Sequence, residues 1–153
     1  MPMLSFQRDG FSFNVRTAGV LIHEGHVLMH HHSGKPCWVF PGGRAEEMEP
    51  TAQAIVREFA EETGLAVRVN RLLYVVESFE YARRNEQIAF YYLLDLEEGQ
   101  KVDFADFENP DGPGMTYHWA TMKEALQRPM EPACMQKILA DLPHEILHAV
   151  EEE

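Results

Sequence analysis

The amino-acid sequence predicts an α+β or α/β/α domain, in which strands and helices are interleaved along the chain. Three stretches carry that expectation. Residues 11 to 32 alternate and cluster apolar side chains on either side of Glu24-Gly25. Residues 50 to 63 contain neither glycine nor interior proline and repeat apolar residues at helical spacing. Residues 65 to 96 return to Val, Leu, Tyr and Phe around the polar "ARRNE".

Each element follows from local chemistry. Phe11, Phe13 and Val15, then Val20-Leu21-Ile22, then Val27-Leu28-Met29, interrupted by Glu24-Gly25, read as a strand, a tight turn and a returning strand. A short strand is expected at Cys37-Trp38-Val39-Phe40, broken by Pro41-Gly42-Gly43. The helix over residues 50 to 63 is opened by Pro50 near its first position and closed by Gly64. Residues 65 to 81 and 87 to 96 form a long hairpin, and Asn109-Pro110-Asp111-Gly112-Pro113-Gly114 is a loop. A strand around Tyr117-His118-Trp119 precedes helical text from Thr121 to Gln127 and from about Pro132 onward, the last of it a closing helix begun by Pro143.

Composition narrows the function classes. A chain of 153 residues is most simply one domain around a single core. No apolar run approaches the roughly 18 residues of a membrane span. The start, Met1-Pro2-Met3-Leu4-Ser5-Phe6-Gln7-Arg8, lacks a signal peptide's basic and apolar regions, so a cytoplasmic protein is expected. Cys37 and Cys134 form neither a disulfide framework nor a C-x-x-C pair and are expected to be reduced. A net charge of -12 argues against general nucleic-acid binding, which needs a basic face to displace phosphate counterions. Acid clustered in one place still binds phosphate through a metal ion.

Such a cluster lies on the first helix. With residues 100 degrees apart, Ala52, Ile55, Val56, Phe59 and Thr63 fall within an arc of roughly 100 degrees, and Glu58, Glu61 and Glu62 within a separate arc of similar width. The first stripe is core. Three carboxylates at i, i+3 and i+4 without a lysine among them repel one another, at a cost of some tenths of a kcal/mol per pair. Either the face is simply solvated or a cation offsets the repulsion. Hard oxygen ligands suit Mg²⁺, which takes a few carboxylates and completes its octahedron with water and phosphate oxygens.

The larger pattern decides between these readings. From Gly43 to Leu65 the chain reads "GRAEEMEPTAQAIVREFAEETGL". It resembles the full signature of the Nudix hydrolases, matched at Gly43, Glu49, Arg57, Glu58, Phe59, Glu61, Glu62, Gly64 and Leu65. At ordinary residue frequencies the chance of this match is well under about one in a million per chain. The resemblance implies a Nudix-type α/β/α sandwich with a central mixed β-sheet. It also implies Mg²⁺-dependent hydrolysis, with Mn²⁺ as a substitute, of the diphosphate bond in a nucleoside diphosphate linked to another moiety. The resemblance further implies that metal-activated water is the nucleophile and that the chain could form a homodimer, as is common among such proteins.

Position by position, the resemblance makes Glu58, Glu61 and Glu62 metal ligands, joined by the backbone carbonyl of Gly42. Glu61 is also the candidate base for the attacking water, Arg57 orients the glutamates, and Glu49 braces Arg57. A further catalytic acid is expected beyond the motif. Glu108 in "FADFENPDGPGM" is the candidate, with Glu77, Glu80 and Glu86 as rivals. Candidate substrate contacts are Arg44 within the motif, His30 in the run His30-His31-His32, and Tyr81, which lies 16 residues past Leu65. Aromatic residues on the strands are more simply core than base-stacking groups.

Two readings from other classes compete. A nucleotide-binding or regulatory module of the same fold without hydrolysis is one, although such domains usually lose motif glutamates and all are kept here. The other is a zinc peptidase, because His144-Glu145-Ile146-Leu147-His148 spells H-E-x-x-H, whose two histidines share a helix face. Five letters arise easily by chance, and only five residues follow His148 where a third zinc ligand is expected. The segment is therefore read as a closing helix whose apolar side is Ile146, Leu147 and Val150.

Overall fold

The alternating text at residues 11–32 becomes β2 (Phe11–His23) and β3 (His26–His32), turning at Glu24-Gly25 as expected. Both turn residues have positive φ. The computed structural model describes residues 2–109 and 111–153, so Pro110 of the loop read at 109–114 lies outside it. The remaining elements are β1 (Ser5–Arg8), β4 (Gly42–Arg44), α1 (Thr51–Thr63), β5 (Val67–Glu80), β6 (Asn85–Leu96), β7 (Phe107–Glu108), β8 (Met115–Thr121), α2 (Met122–Gln127), α3 (Met135–Ala140) and β9 (Leu147–Glu152).

The strands form one sheet in the order β7-β8-β3-β2-β6-β5-β9, with β1 and β4 also paired to β2. β2 runs parallel to β6 and β5 parallel to β9, while the other pairs are antiparallel, so the sheet is mixed. Successive residues on a strand face opposite sides, and each central strand feeds two cores. Val20, Val27 and Tyr91 pack with Ala125, Met135 and Ile138 of α2 and α3. Leu21, Leu28 and Tyr92 pack with Ile55 and Phe59 of α1 on the other face. Helices therefore cover both faces, as an α/β/α sandwich requires.

Two expectations are corrected. Residues 37–40 are not a ladder strand. β2 and β3 pair only at Ile22↔Val27 and His23↔His26 and then splay. Residues 38–44 fill the wedge, through isolated bridges His30↔Val39 and Trp38↔Met130 and through β4 along β2. The closing helix is a strand. β9 pairs with β5 from Tyr74↔Leu147 to Phe79↔Glu152, and Ile146, Leu147 and Val150 are all well exposed. An apolar side that finds no core gives a helix little support, while the open edge of β5 offers a ladder of backbone partners.

Candidate active site

The site is built around α1, and the sheet fixes both ends of that helix. At its start, Thr17 Oγ1 of β2 donates to the carbonyl of Thr51 at 3.1 Å, and Thr51 Oγ1 is hydrogen-bonded to Tyr92 Oη at 2.6 Å. At its end, Gly64 takes the left-handed conformation at φ 73° and returns its N–H to the carbonyl of Ala60. With Ile55 and Phe59 buried against the sheet, Glu62 and then Glu58 follow on the flank of that stripe, and Glu58 is drawn inward. It is only 7% exposed.

A buried carboxylate needs partners, and the loop before the helix supplies the room for them. A Cβ on Gly43 would stand 2.3 Å from the carboxyl carbon of Glu58, so only glycine admits this approach. Gly42 is also buried, paired with Ala18 of β2. Arg57 forms the hub. Its Nε and Nη2 donate to the two carboxylate oxygens of Glu49 at 2.8 and 3.0 Å, and its Nη1 donates to Glu58 at 3.0 Å and Glu61 at 3.1 Å. Nη2 also donates to the carbonyl of Arg44 at 3.2 Å, which ties the motif's loop to its helix. The Arg57 hydrogen bond holds the Glu49 carboxyl below the usual carboxylate range.

Glu62 lies one turn beyond Glu58, beside it. Burial pushes its carboxyl up to about 7; the Tyr117 hydrogen bond opposes the shift and the charge of Glu58 adds to it. Tyr117 Oη, from fully buried Tyr117 on β8, donates to Glu62 Oε2 at 2.8 Å. Tyr117 is stacked between Phe107 and His30, with ring centroids 5.0 and 5.2 Å away. His30 is 4% exposed, and neither ring nitrogen has a hydrogen-bond partner among the described residues. Burial, followed by the nearby Arg16 charge, lowers its imidazole to about 3, so the ring is neutral near pH 7.

These groups open onto a cleft of about 870 Å³. Gly42, Gly43, Arg44, Glu58, Glu62 and His30 line it. Other candidates stand elsewhere. Glu61 is 58% exposed at its side chain, tied to Arg57, and does not line the cleft. Glu108 is exposed on β7, opposite Thr116 at the edge of the sheet, and does not line it either. Tyr81 is 62% exposed, donates to Glu152 at 2.7 Å and stacks on Phe79; Phe79 lines the cleft but Tyr81 does not. Of the rivals to Glu108, Glu80 lines the cleft, whereas Glu77 is hydrogen-bonded to His148 and neither it nor Glu86 reaches the cleft.

Sequence reasoning missed Arg16 and Tyr117. Arg16 lines the cleft from β2, and its Nη2 reaches the carbonyl of Phe40 at 3.4 Å. The available signal was an arginine alone in "VRTAGVLI", a strand otherwise headed for the core. Tyr117 gives no such signal, because its partner Glu62 is 55 residues away in sequence.

Among the described residues no three His, Cys, Asp or Glu side chains form a group able to enclose an ion by themselves. The facing pair Glu58 and Glu62 is the donor set present, next to backbone from Gly42 and Gly43. That suits Mg²⁺, which is commonly held by one or two carboxylates with water and substrate phosphate oxygens completing its shell. The close approach of buried Glu58 and half-buried Glu62, of which only Glu58 is paired with Arg57, leaves negative charge that a divalent cation would offset.

The NUDIX domain family matches residues 13–142 of the chain. The chain belongs to the NUDIX domain family. An ADP-ribose pyrophosphatase from Methanocaldococcus jannaschii is 29% identical over 106 residues, which are 62% of this chain and 63% of that protein. An RNA pyrophosphohydrolase from Haemophilus influenzae is 41% identical over 95 residues, 61% of this chain and 47% of that protein. These matches thus span less than two-thirds of either relative. A MutT NUDIX hydrolase structure from Burkholderia pseudomallei, 23% identical, covers 86% of this chain and 98% of its own with a TM-score of 0.62, which shows the shared NUDIX fold.

The H-E-x-x-H reading loses its geometry in this NUDIX domain. Leu147 and His148 begin a strand, so His144 and His148 do not share a helix face, and His148 Nε2 is instead hydrogen-bonded to Glu77 at 2.6 Å. Cys37 and Cys134 are both free. No helix among the described residues is long and apolar enough to cross a membrane.

Proposed function

We propose that this NUDIX domain hydrolyses the diphosphate bond of a nucleoside diphosphate joined to a second moiety, with Mg²⁺ as its ion, Mn²⁺ as a substitute and the cytoplasm as its setting. The observation that carries the reading is the Glu58–Glu62 pair, set in the wall of a cleft and held by Arg57 and Tyr117. Two relatives are named as an ADP-ribose pyrophosphatase and an RNA pyrophosphohydrolase, both names for the cleavage of pyrophosphate bonds.

Glu58 and Glu62, with the Gly42 carbonyl, are the groups that would hold the ion. When bound there, such an ion would supply charge neutralisation for the diphosphate and acidify a water molecule. The chain's own residues do the positioning. Arg57 fixes the Glu58 carboxylate and Tyr117 the Glu62 carboxylate, so neither has to reorganise when substrate arrives. We assign Glu61 to anchoring Arg57, because its carboxylate is engaged there and lies outside the cleft lining. Arg16 and Arg44 provide cationic contacts for phosphate oxygens, and neutral His30 provides one N–H donor.

A panel of nucleoside diphosphate derivatives, incubated with Mg²⁺ and assayed for phosphate-bearing products, tests the proposal. Cleavage at a diphosphate bond supports it. Silence across the panel with ligand binding retained would favour a binding module without hydrolysis.

A further inference from the structure

We propose that the wall of the cleft opposite the motif selects a second moiety that carries hydroxyl or amino donors and no negative charge, and rejects one that carries further phosphates; this rests on the diphosphate reading above. The distribution of charge is the ground. Gly42, Arg44 and Arg16 sit at the β2–β4 side of the cleft, where β4 pairs with β2. β5 and β9 are two and three strands away from β2 in the sheet order, roughly 10 to 14 Å at ordinary strand spacing. From those strands and from the segment after Met130, the cleft receives Glu80, Glu131, Glu151 and Glu153, against one lysine, Lys35.

Three of these four carboxylates, Glu131, Glu151 and Glu153, have no ion-pair partner among the described residues. Glu80 accepts from Asn85 Nδ2 at 3.1 Å and has Arg83 at 4.0 Å, but that arginine is largely exposed. Glu80, Glu131 and Glu153 also line a smaller cavity of about 320 Å³, where they face Lys35 and Arg83, so carboxylates outnumber cations past the cleft as well. His30, buried with both ring nitrogens unpartnered, faces the same space as an uncharged hydrogen-bonding group.

A cleft walled in this way treats its ligands unequally. Hydroxyl or ammonium groups find carboxylate acceptors, and charge-assisted hydrogen bonds of this kind are strong. Phosphates added at that end meet like charge from half-buried Glu80 and Glu151 and from exposed Glu131 and Glu153, and juxtaposed like charges oppose binding. The chain's -12 net charge acts in the same direction on approach. A polyphosphate chain or a 5′-phosphorylated RNA end is therefore a poor second moiety here, even though one of the relatives is named for acting on RNA.

The test compares kcat/KM for ADP-ribose and for diadenosine tetraphosphate with Mg²⁺, in the unaltered chain and in the double variant Glu131→Gln/Glu153→Gln. The proposal predicts at least about a tenfold preference for ADP-ribose in the unaltered chain. It also predicts that the double variant narrows this at least about threefold, through a lower KM for the tetraphosphate. Equal or better turnover of the tetraphosphate by the unaltered chain overturns the proposal, and so does a ratio that the variant leaves unmoved. Absence of turnover on both compounds counts against the hydrolase reading instead. In that case calorimetry with their non-hydrolysable methylene analogues decides: tighter binding of the ADP-ribose analogue supports the selective wall, and equal affinity or tighter tetraphosphate binding overturns it.

Discussion

Arg57 and Glu49 meet through two parallel hydrogen bonds, Nε to Oε2 at 2.8 Å and Nη2 to Oε1 at 3.0 Å. The same guanidinium carries Glu58 on its remaining nitrogen. Glu49 therefore acts on the site at one remove, by fixing the group that fixes a candidate ligand.

Glu49→Gln keeps the shape and removes the charge. It is expected to lower kcat/KM about tenfold and to cost about 1–3 kcal/mol of stability near neutral pH, the range for breaking a hydrogen-bonded charged pair. Because Arg57 depresses the folded-state value of Glu49 below its unfolded value, this contribution is complete above about pH 4–5 and fades as pH falls through the lower folded value. Chemical denaturation of both chains at pH 7 and pH 3 should show the gap between them closing at the lower pH.

Gly43→Ala addresses close approach rather than charge. A Cβ there stands 2.3 Å from the Glu58 carboxyl carbon, so either the loop or the carboxylate has to move. Displacements of about 1 Å at a reacting centre cost on the order of a hundredfold in rate. Steady-state kinetics should show that loss in kcat, with a circular dichroism spectrum unchanged from the parent chain.

Tyr117→Phe removes the hydroxyl that holds Glu62 and leaves the stack on His30 and Phe107 in place. A hydrogen bond to a charged group is worth about 1.5–3 kcal/mol, so kcat/KM should fall by roughly ten- to a hundredfold. A smaller change, within about twofold, would remove Tyr117 from the account of the site.

Glu108→Gln separates cleft from sheet edge. With Glu108 exposed on β7 and outside the cleft lining, turnover is expected within about twofold of the parent, the behaviour of an ordinary surface substitution. A loss of a hundredfold would return Glu108 to the catalytic role that its place in the sequence suggested.

How far the sequence revealed this arrangement depended on how local each determinant is. α1 was legible because its stripe, its opening proline and its closing glycine act over a few residues. The helical arcs even anticipate the site: Glu58 and Glu62 border the buried stripe, and Glu61 lies farthest from it, where the structure leaves it exposed. β9 was not legible, since "LHAVEE" becomes a strand only because β5, some seventy residues earlier, has an open edge. Residues 38–44 take their shape from the splaying of β2 and β3, again a long-range event. Arg16, Tyr117 and the four glutamates of the far wall were hidden for the same reason. They come from separate strands and loops, and only the assembled sheet brings them to one cleft.

Glu58 and Glu62 are proposed to hold together the ion that hydrolysis requires. The most direct test is the Mg²⁺-dependent turnover of a diphosphate substrate by the double variant Glu58→Gln/Glu62→Gln, with folding checked by thermal melting. Turnover is expected to fall at least about a thousandfold with a melting transition still present, because both charged oxygen ligands are gone. A folded double variant that turns over substrate at the parent rate would contradict this proposal.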